Sequence, residues 1–241
     1  LVGRNAVRVM DEFFDVLCVI LPELAPLRGF EQYNPHHRSD VWQHTLRVVE
    51  GVPAQEPLRL AALLHDVAKP DTFCFDKNLV GHFPGHDIAA VAERILKRLR
   101  CDSRTVREVT ELIRQHMRPL QPVTERSMRR LLAALGPEQT RRLLLLRQAD
   151  RMGKGTEDAT ALRAQVAQAE ALLDALLTEN ACFSLRQLAV TGRDLITLGI
   201  VPGKRLGRIL DELLQAVIAG TLPNERDALC AAACNFAQNI R

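Results

Sequence analysis

Two ionisable residues, His65 and Asp66, stand inside the apolar run LAALLHDVAK, where a helical pattern would bury them. Burying such a pair is costly unless a partner satisfies it. A metal ion is the natural partner, so the fold must bring further ligands to this point. His44, 21 residues upstream in VWQHTLRVVE, and Asp150, far downstream in LLLLRQADR, each lie at the core-facing edge of another helical pattern. Three helices then aim ligands at one place. Adjacent helical residues diverge by about 100°, so His65 and Asp66 straddle one ion lying against the helix rather than point the same way.

The rest of the chain agrees with helices. Apolar spacings of three and four recur almost throughout, as at Leu206, Ile209, Leu210, Leu213, Leu214 and Val217, and no stretch alternates with period two. Only 4% of the 241 residues are aromatic, while Leu and Ala are abundant, which favours helix over strand. The fold class is all-α. A chain this long buries roughly 70–75% of its unfolded surface and needs no disulfides or structural metal to hold a core. Helices are expected near 4–20, 39–50, 56–67, 86–100, 103–116, 125–135, 137–151, 157–178, 191–198, 203–219 and 224–238. Caps stand at several starts: Ser39 with Asp40, Asp102 with Ser103, Pro137 with Glu138, and Asn224 with Glu225. The segment 71–87 is expected to be a long loop serving a site. The glycines of MGKGTED, at 152–158, mark a boundary between a first domain, 1–151, and a helical C-terminal domain, 152–241.

Six scattered cysteines without a C-x-x-C pair point to a reducing, cytoplasmic setting. No apolar stretch approaches the ~18 residues of a membrane span, and the opening LVGRNAVRVMDEF lacks a signal-peptide plan, so no membrane partner is expected. Residue 1 is Leu, already in helical pattern, which points to the C-terminal portion of a longer chain.

Imidazole and carboxylate together suit Mn, Fe, Ni, Co or Zn better than Ca. Four ligands leave positions open on an octahedral ion, and open positions mean catalysis. His86, at an expected helix start, and His116, at an expected helix end, would add a second ion through Asp66 if they face the same pocket; ordinary capping or surface roles fit them equally. His36, His37 and His82 are either rim and substrate contacts or plain helix-entry and loop residues. The net charge is only +3, yet Arg126, Arg129, Arg130, Arg141, Arg142, Arg147 and Arg151 fall in one acid-poor stretch. They form either a phosphate-binding surface or a solvated helix face. Gly203-Lys204-Arg205, ahead of another helix, could receive a phosphate at its N-terminus.

The ordered series His44, His65-Asp66, Asp150 resembles the HD superfamily of metal-dependent phosphohydrolases across residues 30–151. That resemblance implies an HD-domain helical bundle with His44, His65, Asp66 and Asp150 as ligands, Asp66 and Lys69 in catalytic roles, and His86 and His116 as second-ion ligands in the dinuclear subset. Where the superfamily commonly has Gly this chain has Ala68, taken as a tolerant surface helix position. A second resemblance rests on TGRDL, LGI, PG, GRIL and NER within residues 189–230, and on FEQYNPHHRSDVWQHTLRVVE. Both look like bacterial CCA-adding tRNA nucleotidyltransferases and their poly(A) polymerase relatives. It implies a tRNA-contacting tail following the HD region, with Arg118, Arg129, Arg130, Lys204 and Arg205 as phosphate contacts. The nucleotidyltransferase head, with its Gly-Ser element and paired carboxylates on a sheet, has no counterpart here, so nucleotide addition is not expected from this chain alone.

The function these readings imply is a metal-dependent phosphohydrolase on a tRNA-binding scaffold, using one or two transition-metal ions to activate water toward a phosphoester or nucleotide, including 2′,3′-cyclic phosphates. Two alternatives stand beside it: a non-catalytic tRNA-binding body, and a stand-alone HD nucleotide hydrolase.

Overall fold

The computed structural model describes residues 1–33, 39–85, 89–117, 123–156, 158–179 and 182–239. Among these, the chain is helical throughout apart from one short hairpin. It divides into two compact units, each drawing on two stretches: residues 1–119 with 141–167, and residues 120–140 with 168–241. No helix is long and apolar enough to cross a membrane.

The first unit opens with α1 (Ala6–Glu12) and α2 (Phe14–Ile20), which break at Phe13 where one helix over 4–20 was expected. A 3-10 turn, Pro22–Leu27, leads to α3 (Val41–Gly51). Asp40 is the cap of α3, its carboxylate accepting from the Gln43 amide at 2.7 Å. Trp42 is fully buried on α3 and donates its indole N–H to Asp11 at 2.9 Å, with the Phe14 ring 4.5 Å away. A single buried ring thus ties the leading helices to the one that carries His44.

α4 (Glu56–Leu64) packs along α7 (Ser103–His116), burying Leu58, Ala61 and Ala62 against a face that includes Val109, Leu112 and Ile113. α4 stops at Leu64, and His65–Ala68 run in turns rather than continuing the helix to 67. Here Val67 N–H bonds the Leu64 carbonyl and Lys69 N–H the Asp66 carbonyl, the latter a carbonyl to which Pro70 has no N–H to give. Ala68 is buried, at 5% exposure, rather than on the surface; its φ of −90° is ordinary for alanine, so the missing glycine brings no strain. A four-residue helix, α5 (Lys69–Thr72), precedes the hairpin β1 (Cys74–Phe75) and β2 (Gly81–His82), paired antiparallel inside the segment expected to be loop. Then come α6 (Ala90–Arg98) and α7, capped by Asp102, whose carboxylate accepts from the amides of Arg104 and Thr105.

α8 (Glu125–Lys154) contains the two helices expected at 125–135 and 137–151, separated by Gly136 at φ 74° with Pro137 after it. α9 (Ala159–Thr178) follows. The second unit's core gathers Leu188, Val190, Leu195, Ile209, Leu213, Val217 and Leu229 from α10 (Gly192–Thr197), α11 (Lys204–Ile218), α12 (Arg226–Asn239) and the strand-like segment before them. Asn224, expected as a cap, instead cross-links this unit: its amide accepts from the Ala189 N–H at 2.9 Å and donates to the Gln187 carbonyl.

Within the first unit, Glu108 of α7 accepts from Arg104 at 2.6 Å and from Arg142 of α8 at 2.8 Å. Burial works to raise its carboxyl, but the two arginines outweigh burial and hold it below the ordinary glutamate value. Glu108→Gln is expected to cost about 1–3 kcal/mol at neutral pH. Because a depressed acid gives its stability above its unfolded value and loses it as pH falls through the folded one, the gap between wild type and variant should close in acid. Urea unfolding at pH 7 and pH 3.5 measures both.

Candidate metal centre

Three elements converge in the first unit. His44 comes from the middle of α3, His65 and Asp66 from the turn that ends α4, and Asp150 from α8. His44, His65 and Asp150 each place a ligand atom within 4.8 Å of the others, and all three are buried. His44 Nε2 lies 3.3 Å from His65 Nε2, 3.1 Å from Asp150 Oδ1 and 3.5 Å from Asp66 Oδ2. His65 Nε2 lies 3.1 Å from Asp66 Oδ2 and 3.8 Å from Asp150 Oδ1.

The tautomer of His65 follows from its other nitrogen. Nδ1 is 2.8 Å from the Ala62 carbonyl, which can only accept, so Nδ1 carries the proton and the neutral ring presents a lone pair at Nε2. Two carboxylate oxygens and an imidazole lone pair therefore face the same point as His44 Nε2. Bond lengths of about 2.0–2.2 Å to one ion place neighbouring ligand atoms about 3.0–3.4 Å apart. Three of the donor spacings, 3.1–3.3 Å, fall in that range, while Asp66 to His44 at 3.5 Å and Asp150 to His65 at 3.8 Å lie beyond it; an imidazole–carboxylate set suits a divalent transition metal.

The charges around the donors are matched. Lys69 Nζ sits 2.7 Å from Asp66 Oδ2 and donates to Gln32 Oε1 at 2.7 Å; Lys154 Nζ sits 3.1 Å from the outer oxygen of Asp150. Burial would raise both aspartates, yet for Asp66 the neighbouring His65 and Lys69, and for Asp150 His44 and Lys154, overcome it and hold both well below the usual carboxylate range. Burial lowers His44 below its ordinary value, against the pull of Asp150. At His65 burial is outweighed by Asp66 and Asp150, and its value rises.

His116, at the end of α7, lies beside this set with its ring edge-on to His65, centroids 5.4 Å apart. Its Nδ1 hydrogen goes to the Ile113 carbonyl at 2.6 Å, and burial pushes its pKa down to about 4. It is a neutral imidazole at physiological pH, the form that binds metals. Arg147 of α8 donates to the carbonyls of Gln115 and His116, at 2.6 and 3.3 Å, fastening the end of α7 to the helix that bears Asp150.

His36, His37, His86 and Arg118 lie outside the described residues. His82 is on the hairpin, 3.2 Å from Asp76. Arg142 and Arg147 are buried, bonded to Glu108 and to α7 carbonyls, and are not part of a solvated arginine face. In the second unit Arg126 and Arg130 are exposed; Arg126 and Arg129 line a cavity of about 820 Å³, with Arg129 paired to Glu125. Lys204 and Arg205 are exposed at the start of α11, where Arg205 donates to the Ala237 carbonyl. Sequence reasoning overlooked Lys154 and Gln32, and read Arg147 only as part of a phosphate-binding or solvated arginine stretch. Lys154 carried a readable signal, four residues after Asp150 on one helix face; Gln32 carried none.

The cluster opens on one side into a cavity of about 490 Å³, lined by Asp66, Lys69, Asp150 and Lys154 at one end and by Phe75, Phe83 and Met117 among others. Carboxylates lining an open pocket, with buried imidazoles behind them and cations beside them, can hold a cation and meet an anionic ligand.

Comparison with known proteins places this architecture. Residues 86–233 match the family described as tRNA nucleotidyltransferase domain 2. The chain is 34% identical over 225 residues to the CC-adding tRNA nucleotidyltransferase of Thermus thermophilus, covering 88% of this chain and 49% of that protein. It is 30% identical over 229 residues to the A-adding tRNA nucleotidyltransferase of Deinococcus radiodurans, covering 90% and 51%. A 47-residue stretch is 55% identical to the CCA-adding enzyme of Levilactobacillus brevis. The chain thus spans about half the length of the first two relatives.

Gly153, one turn after Asp150, lies directly on His44. A Cβ there would come within 3.2 Å of the His44 ring and 3.1 Å of Val48. Gly153→Ala is expected to displace that ring and cost about 1–3 kcal/mol, whereas Gly207→Ala, with open space around it on α11, should gain a few tenths to about 1 kcal/mol. Thermal unfolding of the two variants checks the opposite signs.

Proposed function

The chain belongs to the tRNA nucleotidyltransferase domain 2 family, and on that premise we propose that it is the helical, tRNA-facing body of such an enzyme, carrying in its first unit a metal-dependent phosphohydrolase centre of the HD type. The family match supports the body; it reaches from the first unit through the second and speaks against a stand-alone nucleotide hydrolase. One observation carries the hydrolytic centre: His44, His65 and Asp150, from three elements, bring buried ligand atoms within 4.8 Å of one another, with Asp66 Oδ2 3.1 Å from His65 and 3.5 Å from His44, and both aspartates line an open pocket.

His44, His65, Asp66 and Asp150 would hold the ion, with His116 beside them. When bound, a Mn, Fe, Ni, Co or Zn ion supplies Lewis acidity toward water and phosphate oxygens. The chain's own residues do the rest. Gln32 and Asp66 fix Lys69, and Asp150 fixes Lys154, so two ammonium groups stand at the pocket to receive a phosphate. The Ala62 carbonyl keeps the His65 proton on Nδ1 and away from the ion. Arg147 holds α7 so that His116 keeps its place. Nucleotide addition falls outside this stretch, which contains no Gly-Ser element. In the second unit, Arg126, Arg129, Arg130, Lys204 and Arg205 contact the tRNA backbone.

Hydrolysis of 2′,3′-cyclic AMP and p-nitrophenyl phosphate esters, screened across Mn, Ni, Co, Zn and Mg, is the test. Turnover is expected with at least one transition metal. Asp66→Ala should lower it by more than about 100-fold, since even loss of an outer partner of a ligand costs 10–100-fold, while helical circular dichroism is retained. Silence under every metal, with tRNA still bound and the binding weakening steeply as salt rises, would leave the body and remove the hydrolase.

A further inference from the structure

Half of the chain's ten aromatic side chains, in a protein with eight Phe, one Tyr and one Trp, gather at the mouth of the metal pocket. Phe73 is the hub: its ring centroid lies 4.8 Å from Phe75, 5.4 Å from Phe30, 5.5 Å from Phe83 and 6.1 Å from Tyr33. Tyr33 and Phe75 meet edge-on at 5.4 Å. These rings are not spent on the core, for Phe75 is 49% exposed and Tyr33 56%.

The backbone makes them a fixed surface. Phe75 pairs across the hairpin with Gly81, whose N–H donates to the Tyr33 carbonyl at 2.8 Å. A Cβ on Gly81 would fall 2.2 Å from the Gln32 carbonyl oxygen, so only glycine lets the hairpin press so closely on residues 32 and 33. The turn is closed by Asp76, whose carboxylate accepts from the amides of Asn78 and Val80 at 2.8 and 2.9 Å. Gln32 also holds Lys69, and Lys69 Nζ lies 5.1 Å from the Phe83 centroid. One pocket is therefore lined together by the carboxylates of Asp66 and Asp150, by Lys69 and Lys154, and by the rings of Phe75 and Phe83.

We propose that this hairpin is the specificity element of the centre: a planar base stacks on Phe75 while the phosphoester joined to it lies against Lys69 and Lys154. The substrate class is a phosphoester on a nucleobase-bearing unit, either a free nucleotide or the 3′ end of an RNA. A sugar phosphate would satisfy the lysines and leave the rings facing water. The inference rests on the phosphohydrolase reading above.

Calorimetric titration of the full chain with Mn²⁺ present, using AMP and ribose 5-phosphate, isolates the base, since the two ligands share the phosphate and sugar. AMP is expected to bind about tenfold tighter or more, the range of one stacked base. Phe75→Ala should bring AMP down to the level of ribose 5-phosphate, and Phe75→Trp should keep the preference, showing that the hairpin still folds when altered. An RNA trinucleotide with a 3′-phosphate, added as a third probe, identifies the RNA end as the source if it outbinds AMP and the free nucleotide if it does not; both results support ring selection. Equal affinity for AMP and ribose 5-phosphate, or a Phe75→Ala protein that keeps the preference, would overturn the hairpin's role and leave the phosphate site standing. Binding of neither ligand would sink the phosphoester reading itself, and this inference with it.

Discussion

The first unit is organised around a confrontation of electron pairs. Asp66, Asp150 and the Nε2 lone pair of His65 face His44 across 3.1–3.5 Å in a buried cluster. No arrangement of apolar side chains asks for this, and the anions are surrounded with charge. Lys69 and Lys154 each take one carboxylate from outside. Removing a partner from a buried charged group costs more than the pair itself gains, so the lysines, Gln32 and the helices that bear them are tied to the cluster as firmly as the ligands are.

That dependence explains local features that look unrelated. α4 ends at Leu64 and His65–Ala68 run in turns, which brings both His65 and Asp66 to face His44 of α3, as a continuing helix, rotating by about 100° per residue, would not allow so readily. α8 approaches α3 closely enough to place Asp150 because Gly153 and Ala149 are small where they meet Val48, His44 and Gly51. The pattern that reads as helix punctuation in MGKG is, at Gly153, a packing requirement of the His44 ring.

His44, His65-Asp66 and Asp150 were legible in the sequence because each places an ionisable group at an apolar helical position, and an apolar pattern records burial directly. Helix starts at Asp40 and Asp102 were legible because a cap is a local interaction. Arg142 and Arg147 were not: an arginine on a helix reads as surface, and only the tertiary position of Glu108 and of the α7 carbonyls turns these two inward. The hairpin escaped because two-residue strands are too short to alternate, and its register depends on Gly81 meeting Gln32, a contact far apart in sequence. Lys154 lay one helical turn beyond Asp150 and could have been found.

The two units use their basic residues in opposite ways, and this bears on the proposed division of labour. In the first unit Arg142 and Arg147 are buried and spent on Glu108 and on backbone carbonyls. Charges so engaged cannot lend themselves to a mobile polyanion without unmaking the fold. In the second unit Arg126, Arg130, Lys204 and Arg208 stand exposed, where the loss of a single partner costs little and counterion release can drive phosphate binding. On the proposed reading, a body that holds RNA through its second unit can keep the first unit's charges committed to the buried centre. The chemistry of that centre then depends on two lysines and a pocket, not on the chain's net charge of +3.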